Sequence, residues 1–250
     1  MSTATERKKT ILNILSEDST TSVATMSRQL NVSAVTIRND LNSLQEEGLI
    51  IRTHGGASPS FHKDIISSQR TNVKQKTAIA KEAAKLINDG DRIMLLGGST
   101  PAMIVKFLLG KRDVHIVTNS TLALTYARAN PSLNITLVGG EFELTSESLV
   151  GPIALNNISL FNVSKCFIGA DGFSINSGAT SHLIETAEVA KMMIKHSQEC
   201  IVVSDATKAG KAGFAVMCQM TEVSRLITDS AIDESLVAEF KAAGIETTQV

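Results

Sequence analysis

Residues 23–57 read VATMSRQLNVSAVTIRNDLNSLQEEGLIIRTHGGA. Within this stretch Ile37, Leu41 and Leu44 recur at steps of four and three, which predicts a helix over 34–47 with one apolar side. That side must be buried. The other side carries Val35, Thr36, Asn39, Asn42 and Ser43, with Arg38 on its flank; these side chains are short, mostly uncharged and able to hydrogen-bond. Ser33 is placed to cap the helix by accepting from its first N–H groups. The break at Asn31, Val32 and Ser33 separates it from an earlier helix over 23–30. The pattern is helix, tight turn, helix.

A recognition helix enters the major groove by its N-terminal end, where Arg pairs with guanine, Asn pairs with adenine and a methyl-bearing side chain touches thymine. Ser33, Val35, Thr36, Arg38 and Asn39 stand at that end. Gly48 then ends the helix, residues 49–51 suit a short strand, and Arg52, Thr53, His54, Gly55 and Gly56 form a turn rich in N–H groups. Such a turn suits a wing lying on DNA phosphates.

These residues resemble the DeoR-type bacterial transcriptional regulators, whose signature joins a winged helix-turn-helix to the phrase RTHGGA. The likeness rests on Val32 with Ser33, then Thr36, Ile37 and Arg38, then Asp40, Leu41, Leu44 and Gly48, and on residues 52–57. A helix-turn-helix pattern alone is shared with many αα-hairpins; the full phrase is far more specific. Asn39 departs from the family, which usually carries a second basic residue beside Arg38, and this bears on base preference there.

With 250 residues and 43% hydrophobic content, the chain is long enough for one small and one medium domain. Its net charge of −1 and pI near 6.5 give no bulk signal for nucleic acid. In the first 57 residues Arg7, Lys8, Lys9, Arg28, Arg38 and Arg52 are balanced by Glu6, Glu17, Asp18, Asp40, Glu46 and Glu47. The DNA expectation therefore rests on placement, with Arg38 and Arg52 on the reading side and Glu46 and Glu47 at the far end of the helix. Cys166, Cys200 and Cys218 are widely spaced, as suits reduced, buried thiols. No apolar run reaches membrane-spanning length and the N-terminus lacks a signal-peptide core, so the bacterial cytoplasm is the expected location.

Ile11, Leu12, Ile14 and Leu15 give a first helix an apolar stripe that supports the helix-turn-helix from behind. Residues 58–68 are of mixed polarity without a sustained period, and a helix is expected over 70–87, ending at Asp89 and Gly90. The organisation is thus a winged helix-turn-helix over 1–57, a linker over 58–75 and a larger domain over 76–250. Beyond Gly90, short apolar runs at 93–96, 114–117, 135–138, 166–169, 200–203 and 226–227 alternate with helical stretches. This predicts a doubly wound, Rossmann-like α/β fold with a parallel sheet buried on both faces.

In such sheets ligands bind beyond the carboxyl ends of the strands. The residues there are Gly97, Gly98, Ser99 and Thr100; Thr118, Asn119 and Ser120; Gly139 and Gly140; Gly169, Ala170, Asp171 and Gly172; Ser204 to Lys208 in sequence; and Thr228 with Asp229. Small residues admit a ligand to the backbone, a Gly-Gly-Ser-Thr loop opening a helix offers N–H and hydroxyl groups to an anion, and Lys208 adds a positive charge. Taken singly, each glycine after a strand reads as a turn.

This half is similar to the effector domain of the same family, which is similar in fold to ribose-5-phosphate isomerase and glucosamine-6-phosphate deaminase and binds phosphorylated sugars or their breakdown products. The matching residues include Arg70, Lys76, Ile79, Ala80, the loops just named, and Glu188 with Lys191. The resemblance implies effector contacts from Gly97 to Thr100, Thr118 to Ser120, Gly139, Gly140, Asp171, Gly172, Glu188 and Lys208. Leu96 stands where the family commonly has Asp; it either lines the pocket or ends a strand in the core.

The rival expectation is a sugar-phosphate isomerase with Asp171, Glu188 and Asp205 as acid–base carboxylates, but such an enzyme has no use for a DNA-reading module. His182, Glu185 and Glu188 lack a metal-ligand spacing, and neither metal nor cofactor is expected. A scaffold without ligand control is the third class. The resulting expectation is a repressor of a carbohydrate operon, binding double-stranded operator DNA as a homo-oligomer under control of a phosphorylated sugar or related metabolite.

Overall fold

The computed structural model describes residues 4–53, 56–59 and 63–250. They fall into two compact units, Met1–Arg70 and Thr71–Val250.

The first unit runs α1 (Ala4–Glu17), α2 (Val23–Gln29), α3 (Ala34–Glu46), β1 (Ile50–Thr53), β2 (Gly56–Pro59) and α4 (Lys63–Arg70). Its core gathers Ile11, Leu12 and Leu15 from α1, Met26 from α2, and Ile37, Leu41 and Leu44 from α3. Ile50 and Ala57 of the antiparallel β1–β2 hairpin close it from the wing. Asn31 makes the turn between α2 and α3 in the left-handed region, φ 51°. Ser33 caps α3 by accepting from the Thr36 N–H at 3.0 Å, as its position after that turn requires. Gly48, φ 73°, stops α3, and the Leu49 N–H returns to the Leu44 carbonyl at 2.9 Å.

Residues 58–75, expected to be a linker, instead carry the end of β2, all of α4 and the first turn of the next helix. The strand forms because Ser58 and Pro59 pair with Ile51 and Ile50. Helix α4 is eight residues long with Ile65 buried, too short an apolar signal to give a period. The helix expected over 70–87 is accordingly split at Thr71 and Asn72.

The second unit opens with α5 (Val73–Lys85), β3 (Arg92–Leu95), α6 (Ser99–Ile104), β4 (Val114–Thr118), α7 (Thr121–Ala127) and β5 (Leu133–Leu137). There follow β6 (Glu141–Glu143), β7 (Ser148–Val150), α8 (Gly151–Ile158), β8 (Val163–Ile168), β9 (Gly172–Ser174), β10 (Gly178–Ser181) and α9 (Ile184–Lys195). It closes with β11 (Ser197–Val203), β12 (Ala215–Cys218), β13 (Arg225–Thr228), α10 (Glu234–Ala242) and β14 (Glu246–Gln249). Seven strands form one parallel sheet in the order β14-β13-β11-β8-β3-β4-β5.

Alternate strand residues face opposite sides. Met94, Cys166 and Cys200 share a core with Ala154 and Ile158 of α8 and with Ala187, Ala190 and Met193 of α9. Leu95, Phe167 and Ile201 point the other way and are equally buried. Helix α5 contacts β11 and β13 and packs on α6, which packs on α7. From β3 the chain winds outward through β4 and β5, then crosses to β8 and winds the opposite way, so the switch point lies between β3 and β8. That crevice, at the carboxyl ends, is where a doubly wound sheet takes its ligand.

The β6–β7 hairpin and the antiparallel β12-β10-β9 sheet were not legible, being strands of only three or four residues, too short for a period. Leu96 is 1% exposed and belongs to the core with Met94, Val117 and Phe173. Of its two readings, the core position is the one the structure adopts.

Candidate nucleic-acid interface and effector site

On α3 the buried stripe leaves Val35, Arg38, Asn39 and Asn42 exposed, Val35 at 62%. An aliphatic side chain held this far into water on a reading helix matches a thymine methyl. Ser33 and Thr36 are half committed, because their hydroxyls lie 2.9 Å apart in the cap. The wing meets α3 where Arg52 Nη1 donates to Asn42 Oδ1 at 3.2 Å. Thr53 is exposed beside it, while Gly56 is buried, where a Cβ would stand 3.2 Å from the Thr21 carbonyl oxygen. His54 and Gly55 lie outside the described residues.

The charge balance of this unit is consumed internally. Arg7 grips Asp40 with two bonds of 2.5 and 3.0 Å, tying α1 to the buried side of α3. Lys8 reaches Ser43 at 2.5 Å and Glu47 at 2.8 Å, and Arg70 lies 3.6 Å from Glu47. Arg28 and Arg38 are exposed and make no ion pair among the described residues. Pairing of this kind is invisible to a charge count, yet among the described residues it leaves Arg28 and Arg38 without an ion pair.

In the second unit the loops at the carboxyl ends do assemble, but many expected ligand contacts face one another. Thr118, Asn119 and Ser120 are 0% exposed. Thr118 Oγ1 donates to the Leu95 carbonyl at 2.7 Å, Asn119 Oδ1 accepts from the Gly97 N–H at 2.7 Å, and Ser120 caps α7 through the Ala123 N–H at 3.2 Å. They are loop ties, because buried loop backbone must find partners. A Cβ at Gly97 would sit 2.7 Å from Ser148 Cβ, and one at Gly140 (φ 146°) 2.5 Å from the Val150 carbonyl oxygen. The Gly139 N–H donates to Asn157 Oδ1 at 2.8 Å. Asp171 accepts from the His182 N–H at 2.9 Å and from Ser181 Oγ at 3.3 Å, and Gly172 passes close to the Lys211 backbone. Glu188 and Glu185 are exposed on α9, and His182 is exposed just before it.

Gly98 (φ 139°) with the buried Ser99 and Thr100 opens α6 after β3, and Lys208, on the turn after β11, is half-buried and makes no ion pair among the described residues. Gly169 faces Pro101 of α6, where a Cβ would be 3.4 Å from the proline ring. Lys76 on α5, matched to the family in the sequence but not expected as an effector contact, is 7% exposed. Burial lowers its ammonium below the ordinary lysine value, Asp205 nearby raises it and Lys208 lowers it, so the three charges share one neighbourhood. The clue was present, since Lys76 falls in the helix's own apolar stripe with Ile79, Ala80 and Ala83. A cleft of about 460 Å³ lined by Gly90, Arg92, Asn162 and His196 opens at the amino ends of the strands, opposite these loops.

Among the described residues no group of His, Cys, Asp and Glu is arranged to hold a metal, and no helix is long and apolar enough to cross a membrane. The family model for the DeoR-like helix-turn-helix domain matches residues 7–60, and that for the DeoR C-terminal sensor domain matches residues 71–230. The chain belongs to the DeoR family of transcriptional regulators. It is 32% identical to the HTH-type transcriptional regulator GolR of Listeria innocua, over 96% of each chain. The HTH-type transcriptional repressor GlcR of Bacillus subtilis is 31% identical, over 96% of this chain and 94% of its own. The lactose phosphotransferase system repressor of Lactococcus lactis is 29% identical, over 94% of each.

Proposed function

We propose that this protein is a repressor of a carbohydrate-utilisation operon, acting in the cytoplasm as a homo-oligomer and controlled by a phosphorylated sugar. The observation that carries the DNA half is the exposed Val35, Arg38 and Asn39 face on a capped, well-buried α3. Two recognition helices set about 34 Å apart would read paired half-sites, which is the reason for the oligomer. Relatives named as repressors, one of them of a lactose phosphotransferase system, support the carbohydrate assignment. The effector half is supported by the buried Lys76 and the half-buried Lys208, which share a neighbourhood with Asp205 on the turn after β11, at the carboxyl end of the parallel sheet.

A catalytic role for the same crevice has little support. Asp171 is engaged by His182 and Ser181, Asp205 by Asn72 and Thr207, and Glu188 is exposed on α9. No carboxylate of the three is left free at the crevice for proton transfer. Thermal unfolding with ribose 5-phosphate, fructose 6-phosphate, glucose 6-phosphate and glyceraldehyde 3-phosphate tests the effector half. A compound bound at one hundred times its Kd adds about 2.7 kcal/mol. No stabilisation by any of them would count against a sugar-phosphate sensor, and turnover of one would restore the enzyme.

A further inference from the structure

Thr71 and Asn72 are the first residues of the second unit, immediately after the chain leaves the DNA-reading one. Asn72 has φ 54° and ψ 37°, a left-handed conformation that asparagine adopts more readily than most residues with a Cβ, as Asn31 also does. It occupies the N-cap position of α5, where an asparagine side chain ordinarily accepts from the helix's first N–H groups. Here it makes no such bond. Its Nδ2 instead donates to Asp205 Oδ1 at 2.9 Å and approaches Thr207 Oγ1 at 3.4 Å, a link spanning 133 residues of sequence.

Asp205 is 3% exposed and also accepts from the Thr207 N–H at 3.2 Å, so it holds the short turn Ala206–Lys208 whose last residue is Lys208. The Ala206 N–H is fixed in turn by Asp229 at 2.7 Å. One helical turn beyond Asn72 the Lys76 N–H donates to the Asn72 carbonyl at 2.9 Å, and the Lys76 ammonium feels both Asp205 and Lys208. The entry point of the unit and the cationic turn are therefore one hydrogen-bonded assembly.

We propose that Asn72 is a positioning residue for regulation: it ties the Asp205–Lys208 turn to the point where the chain enters the sensor, so that a phosphate arriving at Lys208 shifts residues 71 and 72. A phosphate dianion beside Lys208 and Lys76 competes with the Asp205 carboxylate for the same positive charge. As Asp205 is displaced, Asn72 loses the acceptor that holds its left-handed backbone. The change is passed along the covalent chain to Arg70 and α4. This rests on the effector assignment made above, and adds to it the residue through which the signal leaves the sensor.

The experiment uses the full chain and a duplex selected by the wild type from a random pool. Duplex affinity is measured with and without whichever of the four sugar phosphates alters it, for wild type, Asn72→Gly and Asn72→Asp. Glycine tolerates the backbone without the bond; aspartate keeps the size but sets a carboxylate against Asp205. Both variants should bind the duplex alone within about twofold of wild type and the sugar phosphate within about threefold. The ratio of duplex affinities with and without the compound, typically about 5- to 150-fold for coupled sites, should collapse toward one. A wild-type ratio in either folded variant would overturn the inference, and so would loss of sugar-phosphate binding, which would make Asn72 a ligand contact. If neither variant folds, hydrogen exchange at residues 71–76 of the wild type decides: a change on adding the compound supports the tie, and no change overturns it. Failure of the effector assignment is distinguishable, because the wild type itself would then show no response to any of the four.

Discussion

On α3, Val35, Arg38 and Asn39 are exposed, and Arg38 and Asn39 make no side-chain bond among the described residues, whereas at the carboxyl end of β4 Thr118, Asn119 and Ser120 are wholly buried and bonded to neighbouring loops. Both sets stand beside an apolar pattern in the sequence. The difference lies in what holds each backbone. A helix satisfies its own N–H and C=O groups and leaves its outer side chains free for a partner. Loops between parallel strands cannot, so polar side chains close the gaps, and the ligand is left to the few groups not so used.

The largest expected effect comes from breaking the buried side of this contrast. Leu96→Asp places an unpaired carboxylate in the core with Met94 and Phe173 and should cost on the order of 3–5 kcal/mol in urea unfolding. Asn119→Ala orphans the Gly97 N–H and the Leu149 carbonyl, at about 1–3 kcal/mol for each group. A stable Asn119→Ala protein with impaired sugar-phosphate binding would instead make Asn119 a ligand contact and erase the contrast.

The exposed side should behave in the opposite way. Arg38→Ala should leave unfolding unchanged, since the side chain is exposed and unpaired, and cost about 1–3 kcal/mol of affinity for the selected duplex with little loss on random DNA. Equal loss on both kinds of DNA would reduce Arg38 to a phosphate contact.

The smallest effect sharpens the assignment of Lys76. Its lowered folded value means that, between that value and 10.5, the unfolded chain holds more protons than the folded one. Stability from this group should therefore rise with pH through that window, and the increment should vanish in Lys76→Met. A slope unaltered by the substitution would place the lysine in a solvated setting.

Much of the architecture was legible because burial writes itself into spacing. The α3 stripe, the Ser33 cap, the Gly48 stop and six of the seven parallel strands followed from apolar periodicity and from residues with one conformational use. The seventh, β14, has the sequence ETTQ and forms by pairing with β13 at the sheet edge, where the neighbour supplies the order. The end of the wing's second strand was taken for linker because Ser58 and Pro59 carry no strand pattern and are ordered by pairing with β1, and α4 because its partners, such as Glu47 to Arg70, lie elsewhere in the sequence. The site was less legible. No spacing separates a serine that ties a loop from one that meets a ligand, and Asp40 is marked as buried only by its partner Arg7, 33 residues away.

The central claim is that one unit reads DNA while Lys208 in the other makes that reading conditional. The most direct test is the affinity of full-length wild type and Lys208→Ala for the selected duplex, each with and without the responsive sugar phosphate. The wild type should change affinity on adding the compound, and Lys208→Ala should bind the duplex equally well and not change. A Lys208→Ala protein that responds at the wild-type concentration of the compound would contradict the claim.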